Sequence, residues 1–69
     1  MNATAEAVKE RYLEGVASNK AESEVIMAYP AEIAYEIMEM CQHECNLSLD
    51  YDEAIELAES VQEELQSNA

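Results

Sequence analysis

The chain has 69 residues, of which 49% are hydrophobic, and its 16 acidic and three basic side chains give a formal net charge of −13. This length suits one small domain over residues 1–69, and a content of one Gly and one Pro argues against a turn-rich β fold and for helices. The charge excludes direct nucleic-acid binding, because the domain would approach a polyanion against its own field.

The first predicted helix runs from about Thr4 to Ser18. Its apolar residues recur at helical spacing, at Ala5, Val8, Tyr12 and Val16. Every basic side chain of the protein lies on this helix or directly after it, at Lys9, Arg11 and Lys20. Three acids also lie in this segment, so residues 21–69 carry the other thirteen acids and no Lys or Arg. The net charge therefore belongs entirely to the part of the chain after position 20.

A short second helix is predicted between Asn19 and Ala28. Asn19 with Glu22 three residues later resembles a capping box, the pattern that opens a helix. A short strand over residues 25–29 is the alternative, because β-branched and aromatic residues occur there. Pro30 has no amide hydrogen to donate, so it suits the first position of the next helix and marks a boundary after Tyr29.

The third predicted helix runs from Pro30 to about Cys45 and is amphipathic. Its apolar side consists of Ile33, Ala34, Ile37, Met38, Cys41 and Cys45. Its polar side consists of Glu32, Glu36, Glu39 and His43. We expect both cysteines to be reduced, buried thiols, because a free Cys inside a cytoplasmic protein behaves as a small hydrophobe.

The last predicted helix, about Tyr51 to Gln66, is the clearest amphipathic segment. Asp50 and Glu53 form a second capping-box pattern at its start. Its apolar stripe consists of Tyr51, Ala54, Leu57, Ala58, Val61 and Leu65, and its opposite face of Asp52, Glu56, Glu59 and Glu63. The predicted fold is therefore an all-α bundle with three main helices and one short helical segment.

The acidic faces are the strongest functional signal in the sequence. Acids at positions i, i+4 and i+7 share one side of a helix, which predicts two negative rows at Glu32, Glu36, Glu39 and at Asp52, Glu56, Glu59, Glu63. Soluble helices usually intersperse Lys with Glu, because such pairs stabilise a helix by about 0.2–0.5 kcal/mol each. That stabilisation is missing along both helices. We therefore expect a non-catalytic antagonist that imitates nucleic-acid charge and occupies the basic groove of a nucleic-acid-binding protein.

Two other functions stay open alongside this one. Small phage proteins that block restriction or CRISPR machinery share the acidic composition and are examples of the first function. The second function is a helical interaction module or homodimer, which would suit a chain with more apolar residues than a small core can bury. These residues are Val25, Ile26, Met27, Tyr29, Met38 and Met40. In addition, Ser48-Leu49-Asp50 before an acidic helix resembles the modification segment of acyl carrier proteins, in which a serine accepts phosphopantetheine. Leu47 stands where that family has an Asp before the serine.

We expect no catalytic residue, no cofactor and no metal site. Cys41, His43 and Cys45 are close in sequence, but helical spacing directs His43 to the acidic side, and tetrahedral zinc needs a fourth ligand aimed at the same point. The surrounding negative charge also disfavours a reactive thiolate. No apolar run approaches the roughly 18 residues of a membrane span, so we expect a cytoplasmic protein that does not bind membranes.

Overall fold

Helices account for most of the chain. The structure is a computed structural model that describes residues 3–67, so residues 1–2 and 68–69 of the expected domain lie outside the described range. The elements are α1 (Ala3–Glu14), a 3₁₀ turn (Ala17–Asn19), α2 (Glu22–Met27), α3 (Pro30–Glu44) and α4 (Tyr51–Ser67). Residues 3–67 contain no strand, and the all-α prediction of three main helices with a short helical segment is confirmed.

The start of α2 differs from the predicted capping box. Asn19 lies in the 3₁₀ turn, where its amide donates a 3.4 Å hydrogen bond to the carbonyl of Val16. The residue before α2 is Ala21, which is extended and forms no side-chain cap. The Asn19 cap is therefore wrong, because the turn after α1 takes up the positions that would open the helix. The alternative strand over residues 25–29 is also wrong, since Val25 lies inside α2 and is buried.

The two ends of α3 are formed by residues with special backbone geometry. Pro30 occupies the first turn, after an extended Tyr29, as predicted. At the other end Asn46 has a φ of 51°, a left-handed conformation that Asn tolerates better than most residues. The chain can thereby turn back, and the amide of Leu47 donates a 2.9 Å hydrogen bond to the carbonyl of Cys41.

The start of α4 retains one half of its predicted capping box. The Asp50 amide lies 3.5 Å from Oε1 of Glu53, and the Ala54 amide donates a 2.9 Å hydrogen bond to the Asp50 carbonyl. Glu53 therefore reaches back to the residue before the helix, as the sequence pattern predicts. This bond satisfies a backbone donor that has no partner within the helix.

One apolar core joins the four helices. α3 and α4 form its largest part, and α1 and α2 cover it with Val8, Tyr12 and Val25. The buried residues of the two long helices are Ile33, Ala34, Ile37, Met40, Cys41, Ala54, Leu57, Ala58 and Val61. The Cα radius of gyration is 10.9 Å, close to the roughly 11 Å of a folded chain of this length. Burial of these residues thus keeps the chain compact despite its net charge.

The two cysteines have different surroundings. Cys41 is buried in the core, as predicted, and burial raises the pKa of its thiol, with a smaller contribution from nearby Cys45. Cys45 is exposed, so its predicted burial is wrong. The reason is local, because α3 ends at Glu44 and Cys45 belongs to the turn that leaves the helix.

Candidate partner-binding surface

The four acids predicted on the last helix lie together on its solvent side. Asp52, Glu56, Glu59 and Glu63 are all exposed, whereas Ala54, Leu57, Ala58 and Val61 are buried. We call these four acids the α4 acidic row. Its first and last members are eleven positions apart, which corresponds to about 16 Å at 1.5 Å per residue. The row is therefore a line of exposed acidic side chains along one face of a continuous helix.

The three acids predicted on α3 do not form an equivalent row. Glu32 and Glu39 are exposed, but Glu36 is half-buried. Oε1 of Glu36 accepts a 2.7 Å hydrogen bond from the hydroxyl of Tyr12, and its Oε2 lies 2.6 Å from Nζ of Lys20. We call this arrangement the Tyr12–Glu36–Lys20 network. The carboxylate of Glu36 thus binds other residues of this protein. Of the three acids predicted on α3, only Glu32 and Glu39 are exposed for contact with a partner.

The Tyr12–Glu36–Lys20 network explains how a large polar ring fits in the core. Tyr12 is fully buried, and a buried phenol needs a hydrogen-bond partner for its hydroxyl. Burial raises the pKa of Tyr12 well above its ordinary value, and the hydrogen bond and negative charge of Glu36 raise it further. The phenol therefore stays neutral and donates a hydrogen bond to Glu36 across the physiological range of pH.

Each basic side chain pairs with an acid from another part of the fold. Lys9 lies 3.4 Å from Glu64, and Arg11 lies 3.2 Å from Glu44, in addition to the Lys20–Glu36 pair. The N-terminal segment is thereby joined to α3 and α4. Successive residues of a helix are turned by about 100°, so Glu64 lies to the side of the α4 acidic row. Among residues 3–67 no ion pair reaches that row.

Two exposed tyrosines lie where α3 and α4 meet at the surface. The ring centroids of Tyr35 and Tyr51 are 5.6 Å apart, with the ring planes tilted by 45°. Tyr35 is 61% exposed and Tyr51 is 42% exposed. The sequence placed Tyr51 on the apolar stripe of α4, but its ring packs against Tyr35 outside the core. A contact between residues this far apart in sequence leaves no signal in helical spacing.

A second exposed apolar feature lies at the junction of α2 and α3. Met27 is 84% exposed and Tyr29 is 76% exposed. The other apolar residues that seemed surplus to the core are accommodated, since Val25 and Met40 are buried, and Ile26 and Met38 are half-buried. Of the six apolar residues that the sequence suggested for an interface, only Met27 and Tyr29 are therefore exposed.

We find no family model, no curated protein and no solved structure that matches this chain.

The remaining sequence features occupy separate places in the fold. Residues 3–67 hold no group of three or more His, Cys, Asp or Glu side chains placed to bind a metal ion. His43 is exposed on α3, apart from the buried Cys41, and Ser48 is exposed in the linker before α4. Within the described range, no helix combines the length and the apolar character that crossing a membrane requires.

Proposed function

We propose that this protein is a non-catalytic antagonist that binds the basic surface of a cytoplasmic nucleic-acid-binding protein and so excludes the nucleic acid. The α4 acidic row carries the proposal. It presents four exposed carboxylates in a line of about 16 Å, on the side of the helix opposite the core. Grooves rich in Lys and Arg bind phosphates largely through charge and counterion release. A line of carboxylates presents such a groove with the same negative charge as a row of phosphates.

The spacing of the row defines what kind of mimicry we propose. Its acidic residues recur about every 4.5–6 Å along the axis of α4, whereas phosphates recur about every 3.4 Å along one strand of DNA. A one-to-one superposition is therefore not required. The sign of the charge and the alignment of the acids along one helix face drive the proposed binding, and the exposed Glu32 and Glu39 of α3 add to the negative field. Phage proteins of the anti-CRISPR or anti-restriction type are the class to which we assign such a surface.

Affinity capture with matched charge variants tests the proposal. Glu56→Lys, Glu59→Lys and Glu63→Lys together reverse most of the α4 acidic row. Glu14→Lys, Glu22→Lys and Glu24→Lys make the same change in net charge at exposed positions outside it. The wild-type protein should capture a nucleic-acid-binding protein from host lysate at about 50 mM salt, and capture should weaken steeply at about 200 mM. The row variant should lose the captured protein and the control variant should keep most of it.

The outcome of this capture separates mimicry from other kinds of binding. Equal loss in both charge variants would show that only total charge matters, and equal retention would show that the row is not the contact surface. Either result contradicts the assignment of binding to α4. Circular dichroism of both variants, together with their unfolding midpoints, establishes that each remains folded.

An apolar interaction module is the second candidate, and the exposure of Met27 and Tyr29 favours it. Binding through these side chains would persist at high salt, because burial of apolar surface is not screened by ions. It would be weakened by Met27→Ser with Tyr29→Ser and retained by the α4 row variant. Self-association through this surface would strengthen with salt, since two copies that each carry a charge of −13 repel each other.

A further inference from the structure

The Tyr35–Tyr51 pair combines exposure with firm support. Both rings lie on long helices, and their centroids are 5.6 Å apart. Met38 lies one turn after Tyr35, and Ile55 lies one turn after Tyr51. Both of these apolar residues are half-buried and pack against the core. The two rings therefore form a supported aromatic platform on the outer surface of the α3–α4 junction.

Carboxylates flank this platform along α3. Glu32 precedes Tyr35 by three positions and Glu39 follows it by four, so both share its face of the helix. Both are exposed, and among residues 3–67 neither forms an ion pair. An aromatic face thus lies between two unneutralised charges of the same sign, one helical turn away on either side.

We propose that the Tyr35–Tyr51 platform binds an arginine side chain of the basic partner. The guanidinium stacks on the exposed face of one of the two tyrosine rings and donates hydrogen bonds to Glu32 or Glu39. Arginine suits this arrangement because its planar group stacks on aromatic faces and meets a carboxylate through two parallel N–H groups. A lysine ammonium is compact and strongly hydrated, so it gains mainly the charge attraction.

The charges of the surface select against other occupants. An anionic ligand is repelled by a protein of net charge −13. An uncharged apolar partner would have to desolvate Glu32 and Glu39 without giving them a counter-ion, which is costly. An arginine uses the rings and the carboxylates together.

This inference rests on the proposed function and specifies how the partner is recognised. Proteins that hold single-stranded nucleic acid use basic side chains for the phosphates and stacking contacts for the bases. An arginine in such a groove would find both kinds of contact on this surface, with carboxylates in place of phosphates and tyrosine rings in place of bases.

A titration with two synthetic peptides tests the inference on the folded chain of residues 1–69. The probes are an oligo-arginine and an oligo-lysine peptide of equal length and charge, and the readouts are affinity and the NMR signals of the tyrosine rings. The wild-type protein should bind the arginine peptide about two- to fivefold more tightly than the lysine peptide. The ring signals of Tyr35 and Tyr51 should shift more with the arginine peptide, and those of buried Tyr12 should not respond.

Leucine variants locate the preference for arginine. Tyr35→Leu with Tyr51→Leu retains apolar bulk but removes the aromatic faces, so the preference of this variant for the arginine peptide should be clearly smaller than that of the wild-type protein. Tyr29→Leu removes an even more exposed ring outside the platform and should keep the preference. The comparison of peptides on the wild-type protein remains decisive if the double variant does not fold.

The possible failures are distinguishable. Equal affinity of the wild-type protein for both peptides, or a preference that is undiminished in the double variant, overturns the arginine platform. Salt-sensitive binding of both peptides would still leave the proposed charge mimicry standing in that case. If neither peptide binds at low salt, both proposals are overturned.

Discussion

The hydroxyl of Tyr12 donates a 2.7 Å hydrogen bond to Oε1 of Glu36, across 24 positions of sequence. The same carboxylate receives Lys20 on its other oxygen, 2.6 Å away. One acid of α3 therefore holds both α1 and the segment that follows the 3₁₀ turn. In a protein with thirteen more acids than bases, this carboxylate stabilises the fold by pairing while others remain free on the surface.

Removal of the Tyr12 hydroxyl should destabilise the protein. Tyr12→Phe keeps the buried ring but deletes the hydrogen bond to a charged acceptor, which is worth about 1.5–3 kcal/mol. Urea unfolding followed by circular dichroism measures the loss. Tyr29→Phe is the matched control, and because Tyr29 is 76% exposed its effect should stay within about 0.5 kcal/mol. Equal effects of the two changes would contradict a structural role for the network.

Alkaline conditions should destabilise the fold. The ordinary pKa values of Cys41 and Tyr12 are 9.0 and 10.0, and both are raised in the folded protein by burial. Unfolding exposes both groups, which then ionise at their ordinary values, so the unfolded state gains stability as pH rises through them. The contribution of these two groups to the unfolding free energy should be constant below about pH 8. The unfolding free energy should fall as the pH rises above about 9.

The Tyr12→Phe variant isolates the contribution of the phenol to this pH dependence. Its unfolding free energy should decline less than that of the wild-type protein above about pH 10, where the unfolded phenol ionises. Urea midpoints across the alkaline range measure the difference. Parallel curves for the two proteins would show that the pKa of Tyr12 is not raised by folding.

A charge on Gln62 should weaken the attachment of α2. Nε2 of Gln62 donates to the carbonyl oxygens of Val25 and Ala28, at 3.1 and 2.6 Å, at the end of α2. Gln62→Glu keeps the shape but places an acceptor against these oxygens, and the unfolding free energy should fall by about 1–3 kcal/mol. Gln66→Glu adds the same charge at an exposed position of the same helix. A comparable loss in this control would attribute the effect to net charge alone.

Added sodium chloride should stabilise the folded protein. The excess of carboxylates repels itself in the compact state, and salt screens that repulsion over distances of about 3–10 Å. Salt also weakens the few ion pairs, but exposed pairs contribute only about 0–1 kcal/mol each. The unfolding midpoint should therefore rise with salt, and it should rise less in a variant with Glu56→Gln, Glu59→Gln and Glu63→Gln. A falling midpoint would show that the ion pairs dominate.

The helices and the α4 acidic row were predictable from sequence because their signals are local. Leu57 and Val61 recur at the spacing of one helical turn, and Asp52, Glu56, Glu59 and Glu63 occupy the opposite side of the same helix. Pro30 marks a boundary for an equally local reason, since it has no amide hydrogen. Such features depend only on residues within a few positions of one another.

Glu36 shows where this local reasoning ends. By spacing it is equivalent to Glu32 and Glu39, yet only Glu36 lies against α1 and meets Tyr12 and Lys20. The same holds for Tyr51, whose ring rests on Tyr35, and for Gln62, which reaches a carbonyl 37 positions away.

The sequence by itself determined the helical class, the apolar stripes and the excess of negative charge, because periodicity and composition specify how each helix divides into two faces. Only the tertiary structure decided which carboxylates are paired, which cysteine is buried and which tyrosines form a surface platform. The physical reason is that spacing gives the direction of a side chain around its own helix axis. It does not give the neighbour that packing brings to that side.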